Sequence, residues 1–323
     1  MSRPSLLLDS NVWRYMVNEN AVEVVRKAAR RCGVDIVACP AVAYEALRVD
    51  DVNLRRRLIE AITRGSWVRP MPEAFQEAEA LRTELTRFRP GWINPSPDLR
   101  LWWRLKADWA GAWWRRARRT PHREAAFIKA LGGKDLTKAR QEAHDRRTDA
   151  RAGGLTFDGI NVADVRASFE GPVPGWDGTP FEPWRAQGMY LWWMHLTDPS
   201  VSAGSTLAQW LAPWLREGAI RRDWPAWLTF WLEQTSSNGL PHEWMRWATT
   251  WVQQTRKVTA GAPVDSQISS YLFDADLIVT SDSAFVQCLE KVRPYSPRPF
   301  AKTHILPGGK EAIPALEAVI ATA

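Results

Sequence analysis

Four acidic residues, far apart along the chain, stand where strands end and helices begin. Asp9 directly follows the apolar run at residues 6–8, and Asp282 closes the stretch IVTSD. Asp265 opens the helical stretch DSQISSYLF, and Glu45 lies about one turn into the helix expected within CPAVAYEALR. In an open parallel sheet, ligands bind beyond the carboxyl ends of the strands, so these carboxylates are predicted to meet at one crevice.

Four carboxylates at one sheet edge repel each other unless a cation neutralises them. Ligation by oxygen alone, without Cys or His, favours a hard divalent ion such as Mg²⁺ or Mn²⁺. The residue types therefore predict that Asp9, Glu45, Asp265 and Asp282 together bind a divalent cation.

Three of these acids also have a purely structural interpretation. Asp9 and Asp265 could cap helices, because Asp commonly precedes a helix. Glu45 could be a solvated residue on a helix surface. Sequence leaves both interpretations open for each of the three.

Short apolar runs and helical patterns alternate in the two ends of the chain. Five runs are predicted as buried strands of a mostly parallel sheet: residues 5–9, 34–39, 67–70, 276–281 and 303–307. Helical patterns separate them: residues 21–31, 41–62, 72–88, 266–273, 284–291 and 310–320. This alternation predicts an α/β fold built from βαβ units.

The middle of the chain differs from both ends in its tryptophan content. Of the 20 Trp residues, 18 lie between residues 92 and 251. Apolar residues in 207–215 and 224–232 recur with the spacing of one helix face. We therefore predict an α/β domain in two parts, residues 1–90 and 259–323, interrupted by a Trp-rich helical insertion at residues 91–258.

Positive charge is concentrated in one part of this middle region. The net charge is +7, and residues 99–151 hold 15 Lys or Arg against 6 Asp or Glu. Such a local excess favours a polyanionic partner, although a solvated basic helix face is the alternative. A helical wheel over residues 101–119 predicts one amphipathic helix, with Trp102, Leu105, Trp109 and Trp113 on one face. The candidates for contact with a phosphate backbone are Arg104, Arg115, Arg116, Arg118 and Arg119.

Three stretches together resemble the PIN-domain family. They are LLLDSNVW, CPAVAYEALR and PVDSQISSYLFDADLIVTSDSAF, and they occur in the family's order over residues 1–90 and 259–307. The resemblance implies a three-layer PIN-like α/β fold with a central, mostly parallel sheet. It also implies that Asp9, Glu45, Asp265 and Asp282 are the family's acidic quartet.

The function implied by the resemblance is that of a nuclease dependent on Mg²⁺ or Mn²⁺. The nearest parallel is the toxin ribonucleases of bacterial toxin–antitoxin pairs, so an endoribonuclease that acts as a toxin or defence effector is expected. Asn11 would orient Asp9 or a water on the metal, and Thr280 or Ser281 would support the site. RNA rather than DNA is the expected substrate, with a neutralising partner protein and a homodimer as further expectations.

The chain departs from those toxins in size, because they are less than half as long and lack a Trp-rich insertion. The resemblance therefore bears on the fold more than on the substrate and the biological role. One alternative is a catalytically silent PIN-like scaffold, or a module that binds nucleic acid or protein through the insertion. Phosphatases with an aspartate nucleophile need a second Asp where Asn11 stands, which argues against that class.

Cysteine usage and hydropathy set the expected compartment. No stretch approaches the roughly 18 uninterrupted apolar residues of a membrane span, and the first apolar run ends at Asp9, which is too short for a secretory signal. Cys32, Cys39 and Cys288 are odd in number and lack metal-ligand spacing. We therefore expect a reduced, cytoplasmic protein without a membrane partner.

Overall fold

The structure, a computed structural model, describes residues 3–169, 171, 173–202, 205–256 and 262–323; the side chains of 131–140, 202 and 262–264 lie outside the description. Over these residues the chain forms four strands: β1 (Ser5–Leu8), β2 (Asp35–Val37), β3 (Leu277–Thr280) and β4 (Lys302–Ile305). Its α-helices are α1 (Ser10–Asn18), α2 (Val22–Cys32), α3 (Pro40–Leu47), α4 (Val52–Ile62), α5 (Glu73–Phe88), α6 (Leu99–Ala107), α7 (Trp113–Arg119), α8 (Pro121–Ala152), α9 (Pro183–Thr197), α10 (Pro199–Ser202), α11 (Thr206–Leu211), α12 (Glu217–Arg221), α13 (Trp224–Thr229), α14 (Pro241–Gln253), α15 (Ala262–Ser270), α16 (Ser283–Val292) and α17 (Ala312–Thr322).

The four strands form one parallel sheet in the order β2-β1-β3-β4. β1 is central, and its Leu6 pairs with Ile36 on one side and Leu277 on the other. Residues 6–8 are completely buried, as expected for a strand covered on both faces by helices. The predicted α/β class with a mostly parallel sheet is confirmed.

Several predicted elements differ in detail from those observed. Residues 67–70 do not form a strand, because only Val68 bridges to Val37 and Pro70 has no amide hydrogen to donate. The helix predicted at 41–62 is two helices, and Asp51 begins the second by accepting hydrogen bonds from the backbone N–H groups of Asn53 and Leu54. α15 begins at Ala262, four residues before the predicted start.

The chain divides into two compact units. The first comprises Met1–Pro72, Asp108–Ile160 and Thr249–Ala323 and contains the sheet; the second comprises Glu73–Ala107 and Asn161–Ala248 and is helical. These divisions differ from the predicted boundaries because α5 packs against α11 in the second unit, whereas the basic helix α8 packs against α3 and α4 in the first. The predicted boundary at residues 258 and 259 lies outside the described residues.

The segment 101–119, predicted as one amphipathic helix, is interrupted. α6 ends at Ala107, the five residues Asp108–Ala112 form a π-helical turn, and α7 begins at Trp113. The wider turn shifts the phase of the side chains that follow, so one regular helical wheel does not describe the whole segment. Among the described helices, none combines the length and apolarity needed to cross a bilayer.

Candidate active site

Asp9 lies at the carboxyl edge of the sheet, between the first helix and the neighbouring strand. Its backbone N–H donates to the carbonyl of Val279 on β3 at 3.0 Å. This bond continues the pairing of β1 with β3, in which Leu8 faces Val279. Because the strands are parallel, Asp9 and the residues that follow Thr280 emerge at the same edge.

Three donors hold the buried Asp9 carboxylate. Asn11 Nδ2 and Thr280 Oγ1 each donate to Asp9 Oδ2 at 2.6 Å, and the backbone N–H of Ser10 donates to Oδ1 at 2.6 Å. Asp9 does occupy the N-cap position of α1. Its Oδ2 also accepts a hydrogen bond from Thr280 on the neighbouring strand, so capping alone does not account for its surroundings.

Asn11 and Thr280 connect Asp9 to the end of β3. Asn11 Oδ1 accepts a hydrogen bond from the backbone N–H of Ser281 at 3.0 Å, and Thr280 Oγ1 accepts one from the backbone N–H of Asp282 at 2.9 Å. The Ser281 hydroxyl shares a hydrogen bond of 3.2 Å with the Tyr15 hydroxyl. The three residues expected to support the site thus join β1, α1 and β3 in one hydrogen-bonded network.

Asp282 begins α16 as its N-cap. Its Oδ1 accepts hydrogen bonds from the backbone N–H groups of Ala284 at 2.8 Å and Phe285 at 3.0 Å. These bonds satisfy amides that the helix itself leaves unpaired. One carboxylate oxygen therefore has a structural task, and sequence analysis had not assigned a cap to this residue.

Glu45 lies in the last turn of α3 and reaches the start of α1. The Ser10 hydroxyl donates a hydrogen bond to Glu45 Oε2. Of the eight residues of α3, only Tyr44 and Glu45 are partly exposed, and the other six are buried. The interpretation of Glu45 as an ordinary solvated helix residue is wrong, since its carboxylate is bonded beside Asp9.

Asp265 is the fourth residue of α15, so it cannot be the N-cap of that helix. The capping interpretation is therefore wrong for Asp265. Gln253 Nε2 donates to Asp265 Oδ2 at 3.2 Å, which links α15 to the end of α14. Sequence analysis missed both Gln253 and Ser10: Ser10 carries a weak signal as the hydroxyl residue after Asp9, whereas Gln253 carries none.

The four acids act on one another electrostatically. Burial raises the pKa of Asp9 to about 6, against the lowering effect of the bonds from Thr280 and Ser10, and the charges of Glu45 and Asp282 raise it further. Burial likewise raises the pKa of Asp265 to about 8, followed by the charges of Asp9, Asp282 and Glu45. Asp9 and Asp265 are therefore each within electrostatic reach of Glu45 and Asp282, and Asp265 is also within reach of Asp9.

This arrangement fits a divalent cation in charge and in ligand type. The charged groups that act on Asp9 and Asp265 are all carboxylates, and carboxylate oxygens are the ligands that Mg²⁺ and Mn²⁺ prefer. As the side chains stand, however, no three His, Cys, Asp or Glu residues of the described chain form a group able to hold a metal ion.

The five candidate arginines have different surroundings. Arg116 donates to Asp108 Oδ1 at 2.5 Å and to Asp108 Oδ2 at 2.9 Å, and its Nε lies 3.8 Å from Glu124. Arg118 donates to the carbonyl of Thr63 at 3.3 Å. Arg116 is thus already paired with acids, and its pKa is raised by that pairing with Asp108.

Arg115 and Arg119 are exposed on α7 in the first unit. Arg104 is exposed on α6, which belongs to the second unit. The five candidate arginines therefore do not share one environment, and contact with a phosphate backbone stays a prediction for each of them.

Comparison with known proteins adds no relative. No family model, no curated protein and no solved structure matches this chain.

Proposed function

We propose that the chain is a divalent-metal-dependent nuclease with a PIN-like fold. Its activity is endoribonucleolytic: it hydrolyses phosphodiester bonds of RNA with the acidic quartet Asp9, Glu45, Asp265 and Asp282. The observation that carries the proposal is the buried Asp9 carboxylate at the carboxyl edge of a parallel sheet. Asn11 and Thr280 donate hydrogen bonds to it, and burial together with the negative charges of Glu45 and Asp282 raises its pKa. Carboxylates that repel one another at one sheet edge would be stabilised by a cation bound between them.

The four carboxylates would hold Mg²⁺ or Mn²⁺, which supplies Lewis-acid stabilisation of the negative charge that develops on the phosphate oxygens. The protein's own residues prepare this site. Asn11 and Thr280 fix the orientation of Asp9 through two hydrogen bonds of 2.6 Å. The Ser10 hydroxyl donates a hydrogen bond to the Glu45 carboxylate and so holds it in place. Hydrolysis at this site would leave a 5′ phosphate and a 3′ hydroxyl on the two RNA fragments.

The choice of RNA rests on the resemblance to toxin ribonucleases and on the excess of positive charge in residues 99–151. A toxin or defence effector of this kind would act in the cytoplasm and would be neutralised by a partner protein. Arg115 and Arg119, which are exposed on α7 in the first unit, are the candidate arginines that we propose for contact with the phosphate backbone.

The test is a cleavage assay with purified protein. Labelled single-stranded RNA, structured RNA and DNA are incubated with Mg²⁺, with Mn²⁺ and with a chelator, beside Asp9→Asn and Asp282→Asn. Asn is also a good N-cap, so Asp282→Asn removes the charge while α16 keeps its cap. Asp50→Asn, at an exposed position, is the matched control.

Metal-dependent cutting of RNA that is lost in Asp9→Asn and Asp282→Asn but kept in Asp50→Asn is the expected result. Cutting that persists in the chelator or in both site variants contradicts the proposal. Preferential cutting of DNA would keep the metal-dependent nuclease and correct its substrate.

A second candidate function is a PIN-like module that binds nucleic acid or protein without cutting. The observation that favours it is that no three acids of the described chain are arranged to hold a metal ion as they stand. Tight binding of RNA with no cleavage under any metal condition would support this module instead of the nuclease.

A further inference from the structure

An aromatic contact lies beside Glu45 on α3. The ring of Tyr44 lies 5.4 Å from that of Trp113 and 6.3 Å from that of Trp109, measured between ring centroids. Tyr44 and Glu45 are the two residues of α3 that solvent reaches. The part of α3 that presents a site carboxylate to solvent therefore presents an aromatic ring as well.

Trp109 extends this contact and is rigidly supported. Its ring lies 5.0 Å from that of Trp113 at an angle of 32°, and Trp113 in turn packs edge-on against Trp114 at 4.9 Å. Trp113 and Trp114 are buried, whereas Trp109 is partly exposed. We call Tyr44 and Trp109 the aromatic shelf.

The backbone under Trp109 is unusual. Trp109 lies in the π-helical turn Asp108–Ala112 between α6 and α7. Such turns are rare and are found frequently at functional sites, because they re-aim side chains that a regular α-helix would point elsewhere. Asp108, in the same turn, holds Arg116 through two hydrogen bonds, which stabilises the turn against α7.

The shelf and the acids are carried by elements that touch each other. α8, which follows α7 after Thr120, packs against both α3 and α15. These two helices carry Glu45 and Asp265. The shelf is thus built into the same packing that brings these two acids to the site, and the exposed Arg115 and Arg119 lie on the helix that begins with Trp113.

We propose that Tyr44 and Trp109 stack an unpaired nucleobase of the bound RNA and so position a single strand beside Glu45. This inference rests on the proposed nuclease function and adds a stacking site to it. A partly exposed ring backed by buried rings provides the flat, firm surface that stacking requires, and stacking is tolerant of sequence. A base inside a duplex is already stacked on its neighbours, so the shelf would select unpaired nucleotides.

The test separates stacking from phosphate binding. Anisotropy measures the binding of a fluorescein-labelled 12-nucleotide oligouridine and of an abasic strand of equal length, which keeps every phosphate and lacks every base. All proteins carry Asp282→Asn and are measured in Mg²⁺, so that cutting does not disturb the measurement. The shelf variants are Trp109→Ala and Trp109→Phe, and Trp103→Ala is the control because Trp103 is an exposed tryptophan of the second unit.

We expect Trp109→Ala to weaken oligouridine binding about 5- to 150-fold, the range found for loss of one base–aromatic stack. Binding of the abasic strand should change less than about twofold, since the phosphate contacts remain. Trp109→Phe should recover most of the affinity, and Trp103→Ala should match the parent protein.

Three results would contradict the proposed stacking site. In the first, Trp109→Ala weakens binding of both strands equally; in the second, it weakens binding of neither; in the third, the parent protein binds both strands equally well. Far-UV circular dichroism and the recovery in Trp109→Phe identify a variant that has merely lost its fold. The nuclease proposal fails separately, if protein with Asp282 intact cuts no RNA in Mg²⁺ or Mn²⁺ while the binding results stand.

Discussion

Both units of the molecule bury carboxylates, but they neutralise them differently. In the second unit, Arg246 Nη1 lies 3.1 Å from Glu77 Oε2, and Arg246 Nη2 donates to Glu243 Oε2 at 2.5 Å. Trp192 Nε1 also donates to Glu243 Oε1. In the first unit, the charges that act on Asp9 and Asp265 come from other carboxylates.

The difference distinguishes a structural cluster from a candidate site. The side chains of Glu77 and Glu243 are only 1% and 3% exposed, so the cation they need is built into the chain as Arg246. Burial raises the pKa of Glu77 to about 8, although Arg246 lowers it in part. For the acids of the first unit, the proposed function assigns the neutralising role to a bound divalent cation, whereas the cluster of the second unit contains its own cation.

The largest expected effect comes from removing the internal cation. Arg246→Met should destabilise the protein by about 3–5 kcal/mol, because it leaves two carboxylates buried without their charge partner. The midpoint of urea unfolding measures the loss. Arg56→Met is the control: Arg56 pairs with Glu60 at an exposed position, and its loss should be below about 1 kcal/mol.

Adding Glu77→Gln and Glu243→Gln to Arg246→Met should restore part of the stability, since no uncompensated charge then stays buried. A loss below about 1 kcal/mol in Arg246→Met, or no recovery in the triple variant, would contradict the structural assignment of this cluster.

At the candidate site we expect removal of a charged side chain to raise the stability of the protein, not to lower it. Without divalent ions, Asp265→Asn should stabilise the protein at pH 9 by several kcal/mol, since each unit of a raised pKa corresponds to about 1.4 kcal/mol. The pKa of Asp265 is raised from 3.8 to about 8 in the folded state. The neutral Asp265 carboxyl therefore leaves the wild type fully stable below about pH 4, and this stability is lost as the pH rises through about 8 and the buried group ionises. The Asn variant has no group to ionise there, so it does not lose this stability.

Thermal unfolding between pH 4 and pH 9 in a chelating buffer measures this difference. The two midpoints should agree near pH 4 and diverge steadily above it, by several degrees at pH 9. A variant that is less stable than the wild type at pH 9 would show that Asp265 is structurally satisfied without a cation.

Mg²⁺ should restore the stability that the repulsion among the four acids removes. At 10 mM Mg²⁺ and a dissociation constant of about 1 mM, the wild type should gain about 1.4 kcal/mol. Asp265→Asn should gain less because it lacks one ligand, and Asp50→Asn should gain as much as the wild type. Equal gains in all three proteins would mean that Mg²⁺ binds elsewhere or only screens charge.

Much of the candidate site was predictable because local rules govern it. Apolar runs that end at Asp9 and just before Asp282 predicted the strands, and parallel strands bring their carboxyl ends to one edge. The roles of Ser10 and Gln253 were not predictable, since their hydrogen bonds join residues from different elements. Spacing along a chain carries no information about such contacts.

The middle of the chain shows where periodicity misleads. A helical wheel over residues 101–119 assumes one regular turn throughout, and the π-helical turn at Asp108–Ala112 breaks that assumption. Tryptophan density likewise predicted a single insertion, whereas helix packing assigns α8 to the first unit and α5 to the second. Composition reports which segments are buried, but it does not report the surface against which each one packs.

The contrast between charges with internal partners and charges without them extends to the arginines of α7. Arg116 is bound by Asp108, whereas Arg115 is exposed, and no hydrogen bond or ion pair joins it to another residue in the described part of the chain. Arg115→Gln should therefore lower the slope of log affinity against log salt by about 0.7 for single-stranded RNA, as expected for one lost phosphate contact. Arg116→Gln should change this slope less. Arg116 and Asp108 already neutralise each other, so the arginine contributes little net positive charge to RNA binding, and salt screens the pair as well. Anisotropy titrations of oligouridine from 50 to 300 mM KCl, again in the Asp282→Asn background, give both slopes. Equal slopes for the two variants would show that RNA displaces Asp108 from Arg116. In that case, a surface arginine that is paired within the protein would contact RNA as readily as an unpaired one.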